Sequence, residues 1–147
     1  MNNTLELLFS GQQFKKLYEK KCHQISEKYG LTKLEIEILL FLENNKQYDT
    51  AKDIVDLKFF AKSHVSKAIT SLITKGYLHS NHDSMDRRCV HLKISDYAKP
   101  LLEEAKEMRK NLLMIIFKDI SLEERKLMAI VAKKLSKNIN EAIENEE

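Results

Sequence analysis

Tryptophan is absent from this 147-residue chain, proline occurs once and glycine three times. So few breaking residues argue against a loop-rich architecture and for long helices. The two cysteines, Cys22 and Cys89, are far apart and form no C-x-x-C. That argues against a disulfide framework and suggests a reducing compartment. No apolar run approaches the roughly 20 residues needed to span a bilayer. The opening MNNTLELLFSGQQFKKLYEK also lacks a charged segment followed by an apolar one, so it does not read as a secretory signal. The expectation is a soluble, cytoplasmic protein with no membrane partner. A Gly-rich phosphate loop, a nucleophile motif and a paired carboxylate set are missing as well, so no catalytic residue and no cofactor is expected.

Net charge is also small, with 25 Lys and Arg against 22 Asp and Glu. Its distribution is uneven. Between Lys58 and Lys93 there are seven basic residues and only Asp83 and Asp86 on the acidic side, which leaves 18 basic and 20 acidic residues elsewhere. A local basic excess of that kind suits a nucleic-acid reader. Charged residues at 32% and apolar ones at 43% describe a globular chain, long enough to bury a core as one domain.

Helical periodicity runs through most of the chain. A first helix over about Thr4 to Tyr29 places Leu7, Leu8, Phe14, Leu17, Tyr18, Ile25 and Tyr29 roughly on one side, with Gly11 as a candidate interruption and Gly30 as its terminator. Thr32 and Glu35 form a capping box that opens the very apolar LEIEILLFLENN, a helix destined for burial. A short third helix spans about Thr50 to Leu57, and Lys58-Phe59-Phe60 makes a turn. The fourth helix runs from about Ala61 to Lys75, with Val65, Ala68, Ile69, Leu72 and Ile73 inward, and Gly76 ends it. Tyr77-Leu78 and Val90 to Ile94 read as a hairpin whose tip is Asn81 to Arg88. Ser95 can cap a further helix through about Phe117, with Pro100 tolerable in its first turn. Ser121 to Glu124 is a second capping box, followed by Leu127, Val131, Leu135, Ile139 and Ile143 at intervals of four.

A helix, a turn, an amphipathic helix ending at glycine and a hairpin with Asp86-Arg87-Arg88 at its tip form the layout of a helix-turn-helix with a β-wing. That layout points to sequence-specific binding of double-stranded DNA. Ser63, His64, Ser66, Lys67 and Thr70 face away from the inward stripe and suit base edges or phosphates in a major groove. Lys62, at the helix start, suits a phosphate. Arg88 suits the negative potential of a minor groove, Asp86 would orient it through a charge-assisted hydrogen bond, and Arg87 would meet a phosphate on the opposite side. The competing reading is an ordinary solvated helix face and a surface ion pair.

These residues, taken with the helix order, the length and the motif S-x-V-S-K-A-I-x-x-L-x-x-K-G, resemble the MarR-type winged-helix regulators over nearly the whole chain. The resemblance implies a mainly α fold of six helices with a small β-wing. Residues 1–147 then form a single winged-helix domain, with 1–30 and 96–147 as dimerisation helices and about 32–94 as a DNA-binding lobe whose wing is 77–94. It also implies a homodimer, a pseudo-palindromic operator, usually repression and, often, a small-molecule effector or an oxidant that weakens DNA binding. Some relatives sense oxidants through a first-helix cysteine, but Cys22 stands out of register with that position, and a helical thiol is more often packing. No metal is expected either. The fifth helix holds no histidine, and His79, His82 and His91 follow no zinc-binding spacing. Two rivals stay open, a protein-docking adaptor and a sequence-indifferent architectural DNA binder.

Overall fold

The computed structural model describes residues 11–58 and 60–146. Leu7, Leu8 and Phe59, expected in the first helix and the first turn, lie outside them. Two compact units divide the chain, Met1–Leu112 and Leu113–Glu147. The described residues hold six α-helices and one two-stranded antiparallel sheet: α1 Gly11–Tyr29, α2 Lys33–Asn44, α3 Ala51–Lys58, α4 Lys62–Thr74, β1 Leu78–His82, β2 Val90–Ile94, α5 Lys99–Ile116 and α6 Leu122–Glu146. None of these helices is long and apolar enough to cross a membrane.

Helix α2 is the centre of the first unit. Ile36, Ile38, Leu39, Leu40, Phe41 and Leu42 are all buried, so nearly its whole circumference is covered, as its apolar sequence requires. Around it pack Ile25 of α1, Ile54 of α3, Val65, Ala68, Ile69 and Leu72 of α4, Leu78 and Leu92 of the hairpin, and Leu101, Leu102 and Ala105 of α5. Ile73, expected in the inward stripe of α4, is exposed instead. It sits beyond the width of the face that α2 covers.

The helix ends follow local chemistry. α1 stops at Gly30, whose φ of +65° lets the Leu31 N–H return to the Ser26 carbonyl at 3.1 Å. Thr32 caps α2 by accepting from the Glu35 N–H at 3.1 Å. The reciprocal half of the expected capping box is replaced. The Glu35 side chain, 4% exposed, turns into the protein and meets Lys75 Nζ at 3.1 Å and Ser71 Oγ at 3.4 Å. A box absent from the sequence reading opens α3, where Thr50 Oγ1 accepts from the Asp53 N–H and Asp53 accepts from Thr50 N–H and Oγ1. Ser95 does not cap a helix with its side chain. Its hydroxyl donates to the Gly76 carbonyl at 2.5 Å, and a 3-10 turn, Asp96–Ala98, precedes α5. Pro100 therefore falls in the first turn of α5, where its missing N–H costs no helical bond.

In the second unit, Asp119 takes a left-handed φ of 60°. The Ser121 box is complete: Ser121 N–H donates to Glu124 Oε1 at 3.0 Å and Glu124 N–H donates to Ser121 Oγ at 3.1 Å. No residue of α6 is buried.

Candidate nucleic-acid interface

Helix α4 presents two chemically distinct faces. Val65, Ala68, Ile69 and Leu72 are buried, while Lys62, Ser63, His64, Ser66, Lys67 and Thr70 are all exposed. Spacings of three and four separate the two sets, so burial of the first forces display of the second. Helix α3 joins the same core as the inward face of α4 through Ile54. The Thr70 hydroxyl donates to the Ser66 carbonyl at 3.0 Å, which leaves it an acceptor and a methyl group to offer a partner. Thr74 does the same to Thr70 at 2.9 Å.

The C-terminus of α4 sets where the hairpin begins. Gly76 N–H donates to Ile73 and Tyr77 N–H to Leu72, at 3.0 and 2.9 Å, with Gly76 at φ +86°. These paired bonds are a Schellman closure. They turn the chain directly into β1, which pairs with β2 from Leu78↔Ile94 to His82↔Val90. The first strand is thus longer than the expected Tyr77-Leu78, and the tip is shorter.

Two aspartates fold that tip. Asp83 Oδ1 accepts from the Met85 N–H at 2.8 Å, and Asp86 Oδ1 accepts from the Arg88 N–H at 3.0 Å. Asp86 therefore positions Arg88 through its backbone, and no ion pair joins Asp86 to the Arg88 guanidinium among the described residues. A two-residue separation favours the side-chain-to-backbone turn over a side-chain pair. Arg87 and Arg88 are both exposed, as is Met85 at the apex. All nine residues expected to contact DNA are consequently on the surface of one continuous stretch, α4 followed by the hairpin.

One arrangement escaped sequence reasoning. His91 of β2 lies between two carboxylates, with Nδ1 2.7 Å from Asp49 Oδ1 and Nε2 3.1 Å from Asp83 Oδ2. Cys89 Sγ is 3.7 Å from the same Nε2. The hydrogen bonds to Asp49 and Asp83 raise the imidazole's pKa above its ordinary value. Asp83 is held below the usual carboxylate range by the Met85 N–H and then by His91. Partial burial pushes the Cys89 thiol up, and Asp83, Asp86, Asp49 and Asp53 add to that. The Leu92 N–H also donates to the Asp49 carbonyl at 2.8 Å, which fastens β2 to the segment before α3. A signal was available: His91 and Cys89 share one side of the β2 alternation, and Asp49 precedes the Thr50 cap.

Cys22 is 1% exposed in the core, and burial pushes its thiol up. That is the environment of a packing residue rather than of a reactive thiolate. Nearby, Arg109 donates to the Tyr18 hydroxyl from Nε at 3.1 Å and from Nη2 at 2.9 Å. An open depression of about 530 Å³ lies beside β2, with Leu42, Lys46, Leu92, Leu102 and Lys106 in its lining.

Residues 31–98 match the family model of a winged helix DNA-binding domain, the stretch from the start of α2 to the turn before α5. Among solved structures, a MarR protein from Peptoclostridium difficile superposes with a TM-score of 0.76 at 21% identity, covering 97% of this chain and 90% of that one. A MarR/EmrR family transcriptional regulator from Acinetobacter gives 0.79 at 20% identity, with 96% and 99% covered. The S. aureus MepR–DNA complex gives 0.58 at 19% identity, with 87% and 96% covered. No curated protein matches by sequence.

Proposed function

We propose that this chain, a winged-helix protein with the fold of the MarR-family regulators, is a sequence-specific transcriptional regulator that binds a pseudo-palindromic operator as a homodimer. The observation that carries the reading is the face of α4. Six polar residues are displayed there with no intramolecular partner element over them, immediately before a hairpin with two exposed arginines. An α-helix fits the major groove, where Ser63, His64, Ser66, Lys67 and Thr70 meet base edges and phosphates and Lys62 meets a phosphate. Arg88 enters the adjacent minor groove and Arg87 meets the backbone. That the S. aureus MepR structure was solved as a complex with DNA supports DNA as the partner.

Dimerisation is supported by the apolar stripe of α6. Leu127, Val131, Leu135, Ile139 and Ile143 are between 38% and 61% exposed, and a contiguous apolar strip of that length is rarely left in water. A two-fold axis then sets two recognition helices about one DNA turn apart. The action is repression by occupancy of the operator, in the cytoplasm, with no catalytic step. An effector, where one acts, has the depression beside β2 as its site, and it releases DNA only by binding one arrangement of the dimer more tightly than another.

The test is selection from a random duplex library by the purified protein at physiological salt. Enrichment of an inverted repeat with half-sites about ten base pairs apart is the expected result. Salt-sensitive binding without enrichment would replace the reading with an architectural role, and absence of binding with a protein-docking role.

A further inference from the structure

We propose that the root of the wing is a binding site for a zinc-type divalent cation, held by Asp83, Cys89 and His91 and braced by Asp49. The sequence spacing of these residues matches no familiar zinc motif; the hairpin brings them together. Their donor atoms, a carboxylate oxygen, a sulfur and an imidazole nitrogen, all lie within 4.8 Å of one another. His91 Nε2 is 3.7 Å from Cys89 Sγ and 3.1 Å from Asp83 Oδ2. A tetrahedral zinc ion with ordinary bond lengths sets those separations at roughly 3.6 Å for sulfur to nitrogen and about 3.3 Å for nitrogen to oxygen. Those two pairs already stand near the required spacing, and the sulfur and the oxygen, within 4.8 Å of each other, close toward about 3.5 Å as the ion binds. Mixed sulfur, nitrogen and oxygen donors select zinc and its borderline neighbours over magnesium or calcium, which take oxygen alone.

Asp49 is a second, independent observation. Its carboxylate sits on the far nitrogen of the ring, 2.7 Å from Nδ1. Metal-bound histidines ordinarily have such a partner, because it fixes the tautomer and turns the other nitrogen toward the ion. Charge points the same way. Among the described residues neither Asp49 nor Asp83 is paired with a lysine or arginine, so their negative charge is free to meet a cation. When the ion binds, the Nε2 proton of His91 and the thiol proton of Cys89 leave to solvent. Asp83 turns from the ring to the ion, and three protein donors leave a fourth position for water.

The consequence is mechanical and electrostatic. The ion joins both sides of the hairpin turn and, through His91 and Asp49, ties the wing to the segment before α3. It also neutralises negative charge beside Arg87 and Arg88, so zinc raises affinity for DNA. That consequence rests on the DNA-binding reading; the site itself does not.

The test titrates the metal-free, full-length protein with Co²⁺ and follows the visible d–d bands and the near-ultraviolet thiolate-to-cobalt charge-transfer band. The expected result is one cobalt per chain and a charge-transfer band that survives Cys22→Ser and is lost in Cys89→Ser. Zn²⁺ displaces the cobalt, and Asp49→Asn weakens binding by about 10- to 100-fold. A spectrum without the charge-transfer band, or a band lost in Cys22→Ser and kept in Cys89→Ser, would overturn the site. DNA affinity is then compared with zinc and with a chelator. A severalfold gain with zinc, absent in Cys89→Ser, is expected. Equal affinities would overturn the coupling, whereas an intact cobalt spectrum in a protein that binds no DNA would count against the DNA reading alone.

Discussion

Lys75 donates to the Gly30 carbonyl at 2.9 Å and to the Glu35 carboxylate at 3.1 Å, so one ammonium joins the end of α1, the start of α2 and the end of α4. Glu35 is buried and Lys75 partly exposed. Removing the lysine strands a carboxylate in the interior, whereas removing both charges does not. Lys75→Met should destabilise the fold by about 1–3 kcal/mol, the exposed side of the pair being screened. Glu35→Gln added to it should recover part of the loss. Urea unfolding of the two single variants and the double variant measures this, and additive losses would sink it. Arg88 is the second residue to test. Arg88→Gln should weaken operator binding and flatten the slope of log K against log salt by about one unit. An unchanged slope would take Arg88 off the phosphate-rich surface. The sequence pointed to Asp86 as the residue that orients Arg88 through a hydrogen bond, and the structure shows that bond made to the Arg88 N–H rather than to its guanidinium. An aspartate two residues before another residue reaches that residue's N–H more readily than its side chain, and only turn geometry decides between them.

Among the elements, the stop at Gly76 governs the angle between α4 and the wing. With φ at +86°, an added Cβ meets only Tyr97, at 3.9 Å, so the cost of Gly76→Ala is conformational rather than steric crowding. It should be about 1–2 kcal/mol, and DNA affinity should fall further than stability does, since the hairpin leaves the helix at that residue. Thermal unfolding and operator binding measured on the same preparation separate the two effects. The box that opens α6 supplies a pH prediction. The Glu124 carboxylate accepts the Ser121 N–H, and this bond first, then the Ser121 hydroxyl, holds its carboxyl below its ordinary 4.5. A lowered folded pKa means that the stabilisation is present above about 4.5 and is lost as pH falls through the lower folded value. Glu124→Gln should remove that portion of the acid-induced loss of helix, followed by circular dichroism. Both boxes with glutamate were legible as S/T-x-x-E. The α2 box came out half-made, because a carboxylate within reach of Lys75 prefers an ion pair to a backbone N–H.

At the scale of the whole molecule, α6 carries an apolar stripe that the chain itself leaves unburied. The apolar residues from Leu127 to Ile143 extend over about 24 Å of helix, and within one chain none is buried. Leu135→Asp should leave the monomer's fold largely intact, since Leu135 is not buried within the chain, and should convert a dimer to a monomer in sedimentation. Operator binding should weaken steeply, and its salt slope should fall to about half, because one lobe then meets phosphates instead of two. A variant that sediments like the wild type would move the interface elsewhere.

The hydrophobic period, the glycine stops, the Thr32 and Ser121 caps and the outward polar set of α4 were determined by the sequence, because each depends on neighbours close along the chain. The mainly α fold with a short hairpin followed from them. Tertiary structure alone decided that Ile73 is left in water, that Glu35 abandons its cap for Lys75, that Ser95 holds Gly76 instead of opening a helix, and that Asp49, Asp83, Cys89 and His91 converge. These outcomes join residues up to 42 positions apart. They depend on which segments pack together and at what register, and no local pattern carries that information.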